Sequence, residues 1–464
     1  MKFLLFGTGE YYNRFKIWFE KKDVAALIDN SRDKQGEYID DILVISPQDI
    51  FQYNFDAIII LSFYVKEMRI QLLNLGVRED KIYHFFDLNN LIYRSFAKRK
   101  IYFYGVEDRE GQKDDGGLKV LLLSQDLTLG GPAIALYHAA QILVKRGCQV
   151  VYASMLDGPL RKFLTREGIG VIIDENLMIA TMEEALWIRG YSFIICNTMN
   201  FHVFLSERKT DIPVAWWLHD ALFFYEGVRQ EVMDKIETTN MKIWGVGPIA
   251  VRAVKSFRPD FHVEDLLYGV ADKGERGKIC SENKKICFTI IGYIEYRKGQ
   301  DILLEAILKL EPDIRQKAEF FFVGQDTSRI AKEIAEAARI IPEIILTGTV
   351  DREEIERILT RTNVLVCASR EDPMPTVVAE AMMHSVPCLI SNSTGTAAYI
   401  EDGINGRIFE SENAKQLKEL VEGCILGDYD LEKMGKNARK IFEKYFSMEA
   451  FEKRFMSLVE EVGF

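Results

Sequence analysis

Short, almost unbroken apolar runs recur along the chain, and most are followed by a stretch with helical spacing. In the first ninety residues "KFLLFGTGE" reads as a strand ending in a glycine turn, and "YYNRFKIWFEKK" carries helical periodicity. "VAALIDN" and "DAIIILS" are further strands, so the alternation predicts a small parallel sheet with crossover helices. Residues 98–117, "KRKIYFYGVEDREGQKDDGG", are charged and glycine-rich and predict a linker with one short strand, Ile101 to Tyr104.

A second α/β unit begins at "LKVLLLSQD", continues through the glycine loop "LTLGGPA" into the helix "IALYHAAQILVKRG", and adds the strands "CQVVYAS", "GVIID", "SFIICNT", "VAWWLHD" and "KIWGVG". A third starts near "KKICFTIIGYIEYRKG", with strands "AEFFFVGQ", "EIILTG", "NVLVCASR", "VPCLIS" and "GRIFE". Near-continuous apolar strands are expected where helices cover both faces of a sheet. Helices near 412–426, 430–445 and 447–462 close the chain. In the last of these, Phe451, Phe455, Met456 and Val459 recur at helical spacing, which suits packing.

Composition narrows this picture. A chain of 464 residues is too long for one core and fits roughly three domains. The formal charge of −11 argues against broad nucleic-acid binding while leaving room for a local basic phosphate site. Seven scattered cysteines form no C-x-x-C pair, which points to buried free thiols in a reducing cytosol. The N-terminal apolar run, Phe3 to Phe6, is far too short for a signal peptide, and no apolar stretch approaches a membrane span. A cytoplasmic location is expected, compatible with peripheral contact at the inner face of a membrane.

The candidate chemistry sits where strands give way to helices. In "REDPMPTVVAEAMM" the turn after the strand Asn363–Arg370 holds Asp372, and a helix opening near Pro375 carries Thr376 and Glu380. That place, at the carboxyl end of a parallel strand, is where open α/β sheets bind ligands, and free helix-start N–H groups can meet an anion. Two carboxylates could hold two diols of one ligand; equally, Asp372 could be a turn residue and Glu380 a solvated helix position. "IIGYIEYRKGQD" places Arg297 and Lys298 between a glycine turn and a helix start, either a diphosphate site or an ordinary basic turn. Gly130 and Gly131 permit close backbone approach before a helix. His219 and Asp220 end an apolar strand, in a structural or a ligand-binding role. Gly7-x-Gly9 with Asp29 begins a dinucleotide fingerprint whose third glycine position is Tyr12, leaving a nucleotide or sugar-nucleotide site and an empty scaffold both open.

Together these motifs resemble glycosyltransferase family 4, a GT-B family, over residues 118–464. The most specific part is the acidic pair Asp372 and Glu380 with seven intervening residues, followed by "AM". "GG" at 130–131, "LHD" at 218–220, "LYGVAD" at 267–272, "RKGQDILLEA" at 297–306, "LTGTV" at 346–350 and "EDGING" at 401–406 follow in the family's order. The resemblance implies a nucleotide-sugar donor, with UDP, dTDP or GDP as its nucleotide. Glu380 would hold the ribose and Asp372 the transferred sugar. Lys298 would bind the diphosphate, His219 would lie near the donor sugar, and Gly131 would belong to the loop over the phosphates. It further implies retention of anomeric configuration without a dedicated metal, the diphosphate charge being met by Lys298, Arg297 and helix-start amides such as that of Thr376, with Pro375 also lining the donor site. Two departures stand out: Tyr293 where the family often has arginine, and Ala398 at a usually acidic position.

The expected architecture is α/β: two doubly wound Rossmann-like domains facing a cleft, preceded by a small Rossmann-like domain. The boundaries are 1–97 for the accessory domain, 98–117 for the linker, 118–275 for the acceptor-side domain and 276–445 for the donor domain. Residues 446–464 would form a helix crossing back to the N-terminal half. The expected function is a retaining hexosyl- or deoxyhexosyltransferase acting on a glycan or lipid-linked glycan in surface polysaccharide assembly, with rhamnose as one donor sugar. Its partners would be the donor, the acceptor and a protein docked on residues 1–97, with no nucleic acid. The rival readings are a non-catalytic GT-B partner of another transferase and a sugar-nucleotide epimerase.

Overall fold

The computed structural model describes residues 1–88, 100–105, 117–274, 285–325 and 328–462. The linker expected over 98–117 and the boundary at 275 therefore lie largely outside the described residues. The chain divides into two compact units. One comprises Met1–Trp244 with Arg252–Glu264, the other Gly245–Val251 with Asp265–Phe464.

The first unit contains two sheets. Strands β1 (Phe3–Phe6), β2 (Val24–Ile28), β3 (Tyr38–Ile39), β4 (Ile42–Ile45), β5 (Ala57–Ile60) and β6 (Ile82–His84) form a sheet ordered β3-β4-β2-β1-β5-β6. All of its pairs are parallel except β3 with β4. Every residue of β1 and β5 is buried, as central parallel strands require. The periodicity over 11–22 predicts one helix, but the helix Glu10–Phe15 gives way to 3-10 turns at Lys16–Trp18 and Lys21–Asp23. The reason is tertiary. Trp18 stacks on Phe15 with centroids 4.6 Å apart and donates Nε1–H to the carbonyl of Glu175 at 2.6 Å.

Strands β7 (Ile101–Tyr104), β8 (Lys119–Ser124), β9 (Gln149–Ser154), β10 (Gly170–Asp174), β11 (Phe193–Asn197), β12 (Val214–Leu218), β13 (Met241–Gly245) and β14 (Val263–Asp265) form the second sheet, ordered β14-β13-β12-β11-β8-β9-β10-β7. The expected strand at Ile101–Tyr104 exists and pairs antiparallel with β10 at one edge.

The N-terminal sheet's domain packs directly on this second α/β region. Asp87 Oδ1 pairs with Arg229 Nε at 2.6 Å, and Phe86 meets His202 edge-on at 4.8 Å. Phe63 meets Phe224 edge-on at 4.8 Å. Gly227 lies against the His84 ring so closely that a Cβ there would fall 2.1 Å from Nδ1. Gly227→Ala is therefore expected to destabilise this unit by about 1–3 kcal/mol through overpacking, seen as a lowered thermal midpoint. An unchanged midpoint would show that the docking yields without cost.

The second unit is built on β15 (Ile286–Ile291), β16 (Ala318–Val323), β17 (Ile344–Gly348), β18 (Val364–Cys367), β19 (Cys388–Ser391) and β20 (Gly406–Phe409), ordered β17-β16-β15-β18-β19-β20. The recorded pairs are all parallel. Its core joins Phe288, Phe320, Phe322, Leu303, Ile307 and Leu417. The last helix, Met448–Glu460, buries Phe451, Phe455 and Val459 and leaves Met456 half-buried. Cys196, Cys287, Cys367, Cys388 and Cys424 are buried free thiols and Cys148 is partly buried; Cys280 lies outside the described residues.

Candidate functional site

The strand order of the second unit places β15 beside β18, with later strands running outward on both sides. Loops leaving the carboxyl ends of two such strands diverge, and the crevice between them is the ligand position of open α/β sheets. The loop after β15 carries Arg297 and Lys298 in the 3-10 turn Tyr296–Lys298, followed by Gly299 at φ 70°, ψ 25° and the helix Gln300–Leu308. That left-handed conformation suits glycine, and a Cβ at Gly299 would lie 2.0 Å from the carbonyl oxygen of Ala368, just beyond β18. The two loops are thus in backbone contact.

Further bonds tie them. Arg370 N–H donates to the Arg297 carbonyl at 2.8 Å, and Arg297 Nη1 donates to the Glu371 carbonyl at 3.1 Å. The Arg370 guanidinium binds both carboxylate oxygens of Asp301 at 2.9 and 2.7 Å and stacks over Tyr296 at 3.7 Å. Asp372 is anchored by its own backbone, which donates to the Ser393 carbonyl at 3.3 Å and accepts from Gly395 N–H at 2.8 Å. Its carboxylate, 5 % exposed, accepts from Lys298 Nζ at 2.6 Å and lies 3.7 Å from Arg297 Nη1. The structure thus brings together three of the expected residues, Arg297, Lys298 and Asp372.

The helix that follows spans Thr376–Met383. Pro375 does not open it as its first residue; it is the cap, at φ −61° and ψ 118°, and no side chain caps the helix start. Glu380, in the second turn, is buried and accepts from Arg352 Nη1 at 2.7 Å. Arg352 escaped sequence reasoning, although it opens the helix Arg352–Arg361 after β17, a position the strand-end rule favours. Tyr268 also escaped it. Its buried hydroxyl has no hydrogen-bond partner among the described residues, and burial, then the charges of Glu380 and Asp372, raise its pKa well above the ordinary phenol value. Cys367 beneath the site is pushed up to about 11 by burial and by Asp372, so it stays a thiol rather than a nucleophile.

The remaining candidates belong to the first unit. His219 follows β12, lies beside Trp217 with ring centroids 4.5 Å apart, and keeps Nε2 shielded without a partner among the described residues. Burial lowers its pKa to about 3, so the imidazole is neutral at physiological pH. Burial raises Asp220 to about 6, and its carboxylate accepts from Met199 N–H at 2.6 Å. Gly130 caps the helix Gly131–Lys145 in extended conformation, φ −72° and ψ 159°. A Cβ there would meet only Thr128 Oγ1, at 3.3 Å, so the space beside the loop is open. In the N-terminal sheet, Asp29 is already occupied by Thr8 Oγ1, Ser31 N–H at 2.8 Å and Lys34 Nζ at 3.3 Å. Tyr12 is buried at the third fingerprint position.

Residues 273–441 match the family described as Glycosyl transferases group 1, and residues 1–83 match C2185-like, N-terminal. The chain therefore carries a glycosyltransferase group 1 domain preceded by a C2185-like N-terminal domain, and its fold is that of GT-B glycosyltransferases. Spore coat protein SA of Bacillus subtilis is 22 % identical over 359 residues, covering 71 % of this chain and 95 % of that protein. The alpha-D-kanosaminyltransferase of Streptomyces kanamyceticus is 25 % identical over 271 residues, 56 % of this chain and 66 % of its own length. Among solved structures, Anabaena HepE in complex with UDP superposes with a TM-score of 0.64 at 17 % identity, covering 74 % of this chain and all of HepE. No helix among the described residues is long and apolar enough to cross a membrane.

Proposed function

We propose that the protein is a retaining glycosyltransferase that moves a hexosyl or deoxyhexosyl group from a nucleotide diphosphate sugar to a glycan or lipid-linked glycan. The observation that carries this reading is the Lys298–Asp372 contact at the switch point of the third sheet, beside a helix start that no side chain caps. HepE, with the same fold, is solved with UDP, which supports a nucleotide-sugar donor.

Lys298 and Arg297 meet the diphosphate, and the helix-start amides at Thr376 add fixed partial positive charge. Glu380 accepts from the ribose hydroxyls, with Arg352 orienting its carboxylate. Asp372 accepts from hydroxyls of the transferred sugar. As the bond from the anomeric carbon to the diphosphate breaks, the new bond to the acceptor oxygen forms on the same face. The acceptor's proton passes to the departing phosphate oxygen. His219, being neutral, contributes a hydrogen bond to the donor sugar rather than a proton. The cations that balance the leaving group are side chains, so turnover is metal-independent.

A thermal-shift screen of wild type and Glu380→Ala against UDP-, GDP- and dTDP-sugars, with and without EDTA, tests this reading. A ligand held only by the folded state raises the midpoint by mass action. The expected result is a shift with one nucleotide class, unaffected by EDTA and lost in Glu380→Ala. No shift with any donor at millimolar concentration transfers the weight to a non-catalytic partner of another transferase. A new sugar isomer formed without acceptor points instead to an epimerase.

A further inference from the structure

We propose that the N-terminal domain positions the glycine loop of residues 125–131 through Arg14, which acts as a positioning residue for the transferase reaction proposed above. Arg14 lies on the helix Glu10–Phe15, and its Nη2 donates to Asp126 Oδ2 at 3.0 Å, joining residues 112 positions apart. Both groups are withdrawn from solvent, their side chains 14 % and 5 % exposed. The other oxygen of Asp126 accepts from Thr128 N–H at 3.0 Å and Thr128 Oγ1 at 2.6 Å. Thr128 Oγ1 in turn accepts from the Gly130 N–H at 3.3 Å. A continuous hydrogen-bond path therefore runs from the N-terminal domain to the amide that caps the helix Gly131–Lys145.

The charge arithmetic makes Arg14 more than a neighbour. Arg14 is the one cation in ion-pair contact with Asp126 among the described residues, and a buried carboxylate stripped of its cation is strongly unfavourable. With the pair broken, Asp126 gains by turning toward water, Thr128 loses the acceptor that orders it, and the hydroxyl that accepts from the Gly130 N–H is freed with it. The opposite wall of the loop is fixed independently of Arg14, because Ser124 Oγ donates to the Asp126 carbonyl at 2.8 Å and Leu160 N–H donates to the Leu127 carbonyl at 3.0 Å. Loss of Arg14 thus frees the tip, residues 128–131, rather than the whole segment. The same domain also touches the loop after β12. Tyr64 meets Phe223 edge-on at 5.7 Å and Phe63 meets Phe224 at 4.8 Å, a few residues past His219. Two loops of the second α/β region that carry candidate residues are thus backed by the N-terminal domain.

The test uses the full chain and two readouts, amide hydrogen exchange over residues 125–136 and donor kinetics. In Arg14→Met, exchange at the loop tip is expected to rise and kcat/KM for the donor to fall, each by about tenfold or more, with the loss mainly in donor KM. Arg14→Lys, which retains the charge, restores both to within about threefold. Trp18→Phe removes a docking hydrogen bond without touching Asp126 and leaves both readouts near wild type. Arg14→Met with Asp126→Asn removes the orphaned charge and with it the drive toward water, while the amide oxygen can still accept from Thr128; it folds even should Arg14→Met alone fold poorly, and its tip exchange is expected to fall back toward wild type. Unchanged tip exchange in Arg14→Met overturns the proposal, and so does a tip that stays loose in Arg14→Met with Asp126→Asn, or an equal response to Trp18→Phe. If the wild type turns over no nucleotide sugar, the transferase reading fails, while exchange still decides whether Arg14 sets the loop.

Discussion

Replacing Lys298 with alanine is expected to lower sugar transfer by about 10²–10³-fold, the usual consequence of deleting one preorganised group that meets developing charge. Lys298 is chosen over Arg297 because of what each already holds. Arg297 spends Nη2 on Glu295 at 2.8 Å and Nη1 on the Glu371 carbonyl, whereas the contact described for Lys298 is with Asp372. A diphosphate arriving at this turn meets an ammonium group on a flexible stem that can reach it by leaving, or sharing, one carboxylate. The substitution also deprives a buried carboxylate of its nearest cation, with Arg297 still 3.7 Å away. That second effect concerns the fold, and it can be separated. Lys298→Ala with Asp372→Asn removes both charges, so it should recover thermal stability without recovering turnover. Near-normal turnover of Lys298→Ala, measured as transfer and as donor hydrolysis, would remove the diphosphate role from this turn.

The second large effect is acid lability of the first unit. His84 and His202 are 3 % and 1 % exposed, and burial depresses their pKa values from 6.5 to about 3 and about 4. A depressed folded pKa contributes stability that is fully present above the unfolded value and is lost as pH falls toward the folded one, here from 6.5 toward 3–4. Each histidine then costs about 1.4 kcal/mol per pH unit below 6.5. Asp220 has the opposite sign. Its folded pKa is raised to about 6, so its contribution is present below 3.8 and lost as pH rises through 6, and acidification returns part of the loss. Buried Asp87, whose pKa is also raised by burial, adds to that return. His219, lowered to about 3 in the same unit, adds a third loss of the same size. The net expectation between pH 7.5 and 5 is a loss on the order of 4 kcal/mol, a large share of a typical domain's stability. Urea melts followed through the first unit's tryptophans should show the midpoint falling across that range, and His84→Gln with His202→Gln should flatten the slope. A midpoint that stays level from pH 7.5 to 5 would mean the histidines open to water before they protonate.

Much of the framework was legible because parallel strands covered on both faces write themselves as apolar runs. "KVLLLS", "FIICN" and "AEFFFV" needed nothing beyond local composition to be read as β8, β11 and β16. The candidate turns were legible for a related reason, since strand ends followed by helices are local signals, and Lys298 and Asp372 each stood at one. That they touch was not legible, because 74 positions separate them. The same holds for Arg352 on Glu380. The docking surface was the least visible part. Trp18 and Phe15 fit a helical stripe, and nothing local says that the indole would leave that stripe for the Glu175 carbonyl. Strand β3 was missed as well, because a two-residue strand carries too little periodicity to separate it from loop.

Strand β7 has a bearing on how the N-terminal domain could be removed for study. It precedes the second α/β region's first parallel strand, yet it closes the edge of that region's sheet, pairing Ile101–Tyr104 with Gly170–Asp174's Val171–Asp174. Cutting at residue 117, where the charged stretch ends, would strip that border and leave β10 with a row of unpaired amides and carbonyls, an invitation to aggregation. A cut ahead of residue 100 would keep the hem of the sheet intact. The strand inside the charged stretch thus belongs wholly to the second region, and the seam between the two modules lies ahead of it rather than where the charged stretch ends.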